Sequence, residues 1–226
     1  MPPYEQMGFG GGGAVLSGDR ARGVFGHVME LVACTLGFTA LGAYVARNLA
    51  GGGGILFFIL AFGCLFGLNA AASRGHEQLS VALLFAFGLL LGLAVAPVLD
   101  FYAKADPAAV YQAAGATALG TAALGAFGYT TRRDLSTASK FAFFALLGLL
   151  VFGLVAFFVA IPGGNIIYCV AGIAIFSVFT AADFQRLARK PGYGSAVPIA
   201  AAIFLDIFNM FLLLLNLFGG GGGGRR

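Results

Sequence analysis

Residues 164–218 read GNIIYCVAGIAIFSVFTAADFQRLARKPGYGSAVPIAAAIFLDIFNMFLLLLNLF, two apolar runs joined through Lys190-Pro191-Gly192-Tyr193-Gly194-Ser195. Each run is long enough to cross a bilayer, which takes roughly 20 residues in a helix. Each also carries one aspartate, Asp183 in the first and Asp206 in the second. Pro-Gly and the glycine that follows mark the joining segment as a turn. A carboxylate in hydrocarbon costs roughly 2.5–3.5 kcal/mol on insertion scales, so two of them in otherwise apolar runs need a reason. The midpoint of 183 and 206 falls between Gly194 and Ser195. A helical hairpin folded there brings both carboxylates to the same depth and builds an acidic pair inside the membrane.

The rest of the chain has the same character. Hydrophobic residues make up 60% of the 226 and charged residues 10%, with a mean hydropathy of +0.94. Soluble domains carry about 25% charged residues, so the composition is that of an integral membrane protein. Apolar runs recur near 24–46, 51–73, 79–100, 108–130, 140–161, 164–187 and 197–218. In lipid every backbone polar group must be satisfied within its own segment, which makes these runs helices. The alternation of apolar and polar residues that a barrel needs is lacking. The expectation is an all-α bundle of seven transmembrane helices over 24–218, with a polar, Gly-rich tail at 1–23 and a Gly-rich tail at 219–226. The polar start followed by a long first run does not read as a cleavable signal peptide.

Basic residues cluster at the ends of the runs, which is membrane usage, so the net charge of +4 points to no nucleic-acid partner. Nine of them (Arg20, Arg22, Arg74, Arg132, Arg133, Lys140, Arg186, Arg189, Lys190) fall on the N-terminal side, and four (Arg47, Lys104, Arg225, Arg226) on the other. The positive-inside rule then places the N-terminus in the cytoplasm and the C-terminus outside, in the inner membrane if the cell is bacterial. The pairs Gly63-x-x-x-Gly67 and Gly88-x-x-x-Gly92 are expected to let the second and third helices approach their neighbours closely. The three cysteines stand singly in apolar runs and only two histidines are present, so neither a disulfide framework nor a structural zinc site is expected. No Ser-His-Asp nucleophile arrangement appears, so the chain does not read as an enzyme, and no cofactor is required.

Polar residues near the aspartates form stripes. On the seventh helix Asp206, Asn209 and Asn216 fall on one face, and on the sixth Ser177, Thr180 and Asp183 recur every three residues. These stripes either line a proton or cation route or hydrogen-bond the bundle together. Two neighbouring carboxylates cannot both ionise freely, so they titrate as a unit. Protonated, the pair can share a hydrogen bond and clamp the two helices. Deprotonated, it repels itself unless a cation enters, and hard oxygen ligands suit Ca²⁺. Arg74, ending the second helix, either reaches inward to a carboxylate or snorkels to the interface. Glu30, three residues after His27, ranks behind the two aspartates.

Phe179-Thr180-Ala181-Ala182-Asp183-Phe184-Gln185 and Phe204-Leu205-Asp206-Ile207-Phe208-Asn209-Met210-Phe211 resemble the sixth- and seventh-helix motifs of the Bax inhibitor-1 family. Ala126-Phe127-Gly128-Tyr129-Thr130-Thr131-Arg132-Arg133-Asp134-Leu135-Ser136 is similar to the family's junction between helices 4 and 5, and Leu41-Gly42-Ala43-Tyr44-Val45 to the end of its first helix. The resemblance implies six helices around a central seventh. It also implies a pH-sensitive Ca²⁺ leak whose sensor aspartates are Asp183 and Asp206, with Arg74 near the position of a latching arginine. Phe184 replaces a usual Thr and removes a hydroxyl beside the sensor. The bacterial branch further implies modulation of a membrane-bound AAA protease, the competing reading: an interaction protein in which the aspartates serve only the fold.

Overall fold

The computed structural model describes residues 12–47, 53–159, 161–189 and 196–220, with side chains from residue 22 onward. These residues form seven helices: α1 (Gly12–Ala46), α2 (Gly54–Ser73), α3 (Glu77–Ala105), α4 (Pro107–Thr130), α5 (Ser136–Phe158), α6 (Gly164–Arg189) and α7 (Ala196–Gly220). Helix α1 begins at Gly12, so the segment expected as a tail through residue 23 is helical over its second half. The Lys190–Ser195 turn lies outside the described residues.

The boundaries follow from local chemistry. At the end of α2, Gly75 takes a positive φ of 77°. The amides of Gly75 and His76 then return to the carbonyls of Ala72 and Ala71 at 3.1 and 3.0 Å, closing the helix as a glycine C-terminal cap does. Asp106 starts α4 by accepting from the Ala109 amide at 3.2 Å. Pro107 follows at the first helical position, where its missing N–H is no loss.

Helix α7 is the hub. It packs against α1, α2, α3, α4 and α6, and more of its apolar length is buried than that of any other membrane-length helix. One apolar cluster runs from Val24, Val28 and Val32 through Leu84, Phe87 and Leu91 to Ile199, Ile203 and Phe204. Phe87 meets Phe204 edge-on at 5.6 Å. Helix α5 packs chiefly on α6 and turns Phe141, Phe144, Phe157 and Phe158 outward, as a lipid-facing helix should.

Six of the seven helices are long and apolar enough to cross a membrane, and α4 is the exception. Its composition explains this. It carries no charge, but it is built of Ala, Gly and Thr, whose small side chains add little hydropathy. The same smallness fits it to the interior: a Cβ on Gly128 would collide with the carbonyl of Ala181 on α6. Close packing through glycine also joins α1 to α3, where Gly88 and Gly92 lie against Thr35 and Thr39. The other expected pair does not work this way. Gly63 faces open space and Gly67 meets only the flexible end of Leu83, because spacing alone does not say which face of a helix is packed.

Candidate functional site

Asp183 and Asp206 are both buried, at 7% and 5% of their free exposure. Asp183 sits on α6 among Ala181, Ala182 and Phe184, all buried. Asp206 sits on α7 between the buried Phe204 and Phe208. The two carboxylates lie within electrostatic reach of each other, and the Thr180 side chain stands beside Asp206. The Thr180 hydroxyl donates to the Phe176 carbonyl at 2.8 Å, so toward Asp206 it is best placed to accept.

The two aspartates differ in what neutralises them. One turn along α6, Arg186 Nη1 reaches Asp183 Oδ1 at 3.1 Å, with the arginine half exposed. Among the described residues Asp206 makes no such contact, and its Oδ2 is buried without a hydrogen-bond partner. A buried charge without a partner is costly, so an ionised Asp206 lacks the compensation that Arg186 gives Asp183. A small cavity of about 370 Å³ opens beside Arg186, lined also by Leu65 and Asn69 of α2 and by Pro198 and Ala202 of α7. Arg186 lines it, but neither aspartate does.

The remaining candidate residues are dispersed. Ser177 donates to its own helix at Ile173 (2.7 Å) and Asn209 to Leu205 (2.8 Å). Asn216 accepts from Asn165 at 2.8 Å, about 15 Å along α7 from Asp206 at the helical rise. Glu30 is largely exposed on α1, 4.0 Å from His27. Arg74 is exposed at the C-terminal cap of α2, and the arginine that pairs with Asp183 is Arg186. The three-residue spacing of Asp183 and Arg186 was a readable signal for that pair. Among the described residues no group of three or more His, Cys, Asp or Glu side chains is gathered. A Ca²⁺ ion here would have the two carboxylates as its acidic ligands, with neutral oxygens completing its six to eight.

The end of α6 that carries the pair is fastened to the α4–α5 loop. Gln185, buried, donates to the Arg133 carbonyl at 2.6 Å and accepts from the Leu135 amide at 2.9 Å. Arg189 donates to the carbonyls of Arg132 and Arg133 and lies 3.7 Å from Asp134. In that loop the Ser136 amide donates to Asp134 at 3.0 Å. This bond, ahead of the Arg189 and Lys140 charges, holds the Asp134 carboxyl below the usual aspartate range.

Known proteins place this architecture. The family described as "Inhibitor of apoptosis-promoting Bax1" matches residues 21–223. An uncharacterized protein of Helicobacter pylori is 31% identical over 73% of this chain and 70% of its own. An uncharacterized membrane protein of Streptococcus pyogenes is 29% identical over 74% and 73%, and a Borreliella burgdorferi protein is 24% identical over 71% and 72%. With nearly its whole length matched and the two aspartate motifs in place on α6 and α7, the chain belongs to the Bax inhibitor family of membrane proteins.

Proposed function

We propose that the protein is a pH-sensitive, Ca²⁺-permeable leak gated by Asp183 and Asp206. The observation that carries this reading is the buried Asp206 Oδ2, left without a partner while its neighbour Asp183 is held by Arg186. With a proton on the pair, the carboxyls share hydrogen bonding with each other and with Thr180, and α6 stays clamped to α7. When the proton leaves, two carboxylates remain within electrostatic reach of each other, and only Asp183 has an arginine against it. Repulsion then loosens the contact, and a hard divalent cation is the natural compensation. Arg186, half exposed beside the 370 Å³ cavity, is the side chain that must swing aside for an ion to reach Asp183.

The experiment is Ca²⁺ release from liposomes containing only this protein. Release that rises as the medium becomes more alkaline is the expected result. A protein that merely restrains a membrane-bound protease would move no ion, and silent liposomes would favour that function.

A further inference from the structure

Helix α1 has a packed face and an open one. Val24, Val28 and Val32 are buried in the cluster shared with α3 and α7, and Thr35 lies against Gly88 of α3. At about 100° per residue, Gly26, Glu30, Ala33 and Gly37 fall together on the opposite side. All four are exposed, and a Cβ on Gly26 or Gly37 would meet nothing within 4 Å. Glu30 sets this face apart. Its side chain is 74% exposed, with His27 at 4.0 Å, and it lies inside the membrane-length stretch Arg22–Ala46. Its depth can be read from a neighbour. Phe25 meets Tyr129 edge-on at 5.3 Å, one residue from the end of α4 at Thr130, where the charged Arg132–Asp134 segment is about to begin. Glu30 is five residues further along α1, about 7.5 Å deeper at the helical rise. Carboxyls within a membrane span almost always turn into the bundle or pair with another polar group. This one points away from the bundle.

We propose that two copies of this chain associate through the Glu30 face of α1. Copies inserted in the same sense bring α1 to α1 in parallel, and a twofold axis beside this face sets each Glu30 at the depth of its counterpart. Two carboxyls that share a proton satisfy each other, one donating and one accepting. A second copy therefore always supplies what Glu30 lacks, whereas a helix with no polar group at that depth would leave it as unmatched as lipid does. The small residues meet the other condition. Ala33-x-x-x-Gly37, with Gly26 on the same side, lets two backbones approach closely enough for the carboxyls to touch. Small residues alone are common on membrane helices; a carboxyl set among them and turned outward is not. The association does not depend on the leak proposed above.

The test reads association directly and needs no ion flux. Full-length copies carrying a donor or an acceptor dye on a C-terminal tag are reconstituted together in phosphatidylcholine liposomes and diluted stepwise with lipid. Energy transfer should fall along a monomer–dimer curve. Glu30→Leu and Gly37→Leu should each weaken the dimer about tenfold, the scale of one interhelical contact of this kind in a bilayer. Both substitutions lie on an exposed face, so the bundle itself keeps its packing. Glu30→Gln retains a self-pairing donor and acceptor and should keep the dimer. Gly63→Leu, on α2, fills an equally open position and should change nothing. Energy transfer absent at every dilution would overturn the proposal. So would a dimer that Glu30→Leu and Gly37→Leu leave intact, one that Glu30→Gln weakens as much as Glu30→Leu, or one that Gly63→Leu weakens equally.

Discussion

Asp183 and Asp206 are chemically the same residue in different surroundings. Asp183 has Arg186 at 3.1 Å, whereas Asp206 has a buried oxygen with no partner. Removing the arginine should therefore matter through charge. Arg186→Gln keeps much of the length but takes away the cation that favours ionised Asp183, so the pair should release its proton at higher pH and the flux–pH curve should move upward. Flux measured across a pH series checks this, and an unmoved curve would show that Arg186 does not sense the pair. Both aspartates could be read in the sequence because each is the lone acidic residue in an apolar run. Arg186 was harder to assign, since an arginine at a helix end reads equally well as an orientation signal, and only the packed helix shows which way it turns. Arg74 carried the same ambiguity and stands exposed at the cap of α2.

Among elements, α6 carries Asp183 and is fastened to the α4–α5 loop. Gln185 is buried and ties both Arg133 and Leu135 to it. Gln185→Ala leaves the Leu135 amide without its partner, a loss on the order of 1–3 kcal/mol where such a group is buried, while the Arg133 carbonyl keeps Arg189. The Leu135 amide should exchange hydrogen faster in that variant, and unchanged protection would mean the clamp is not holding the loop. Asp134 contributes to the same junction, with the sign set by its lowered range. Its contribution is present at neutral pH and is lost only as pH falls through that lowered value. Between about pH 7 and about pH 5, both above the ordinary aspartate range of about 3.9, the carboxyl stays charged. A gating change in that interval therefore does not come from the Asp134 carboxyl. None of this clamp was legible in the sequence, because Gln185 and its partners lie 50 and 52 residues apart and no local pattern joins them. Close approaches by glycine were half legible: spacing suggested Gly88 and Gly92, but burial chose Gly128 and not Gly63.

For the whole molecule, the helix number follows from run lengths and hydropathy, whereas the central place of α7 was implied only by the family resemblance; the weakest of those runs is α4. Its small residues lower its hydropathy while fitting it against α6 and α7. Seven crossings place the two termini on opposite sides, and six would place them on the same side. With the nine-to-four bias in basic residues, a topology reporter fused after Arg226 should be active only outside the cytoplasm. Activity inside would mean that α4 does not span. The central claim is that the buried pair is the gate, and the most direct measurement is Ca²⁺ flux from liposomes over a range of pH for the wild type, Asp183→Asn, Asp206→Asn and the double variant. Wild-type flux should rise as pH rises. Each single variant should flatten that dependence, and the double should add little, because either change already dismantles the pair. A wild-type pH dependence that survives in the double variant would contradict the account.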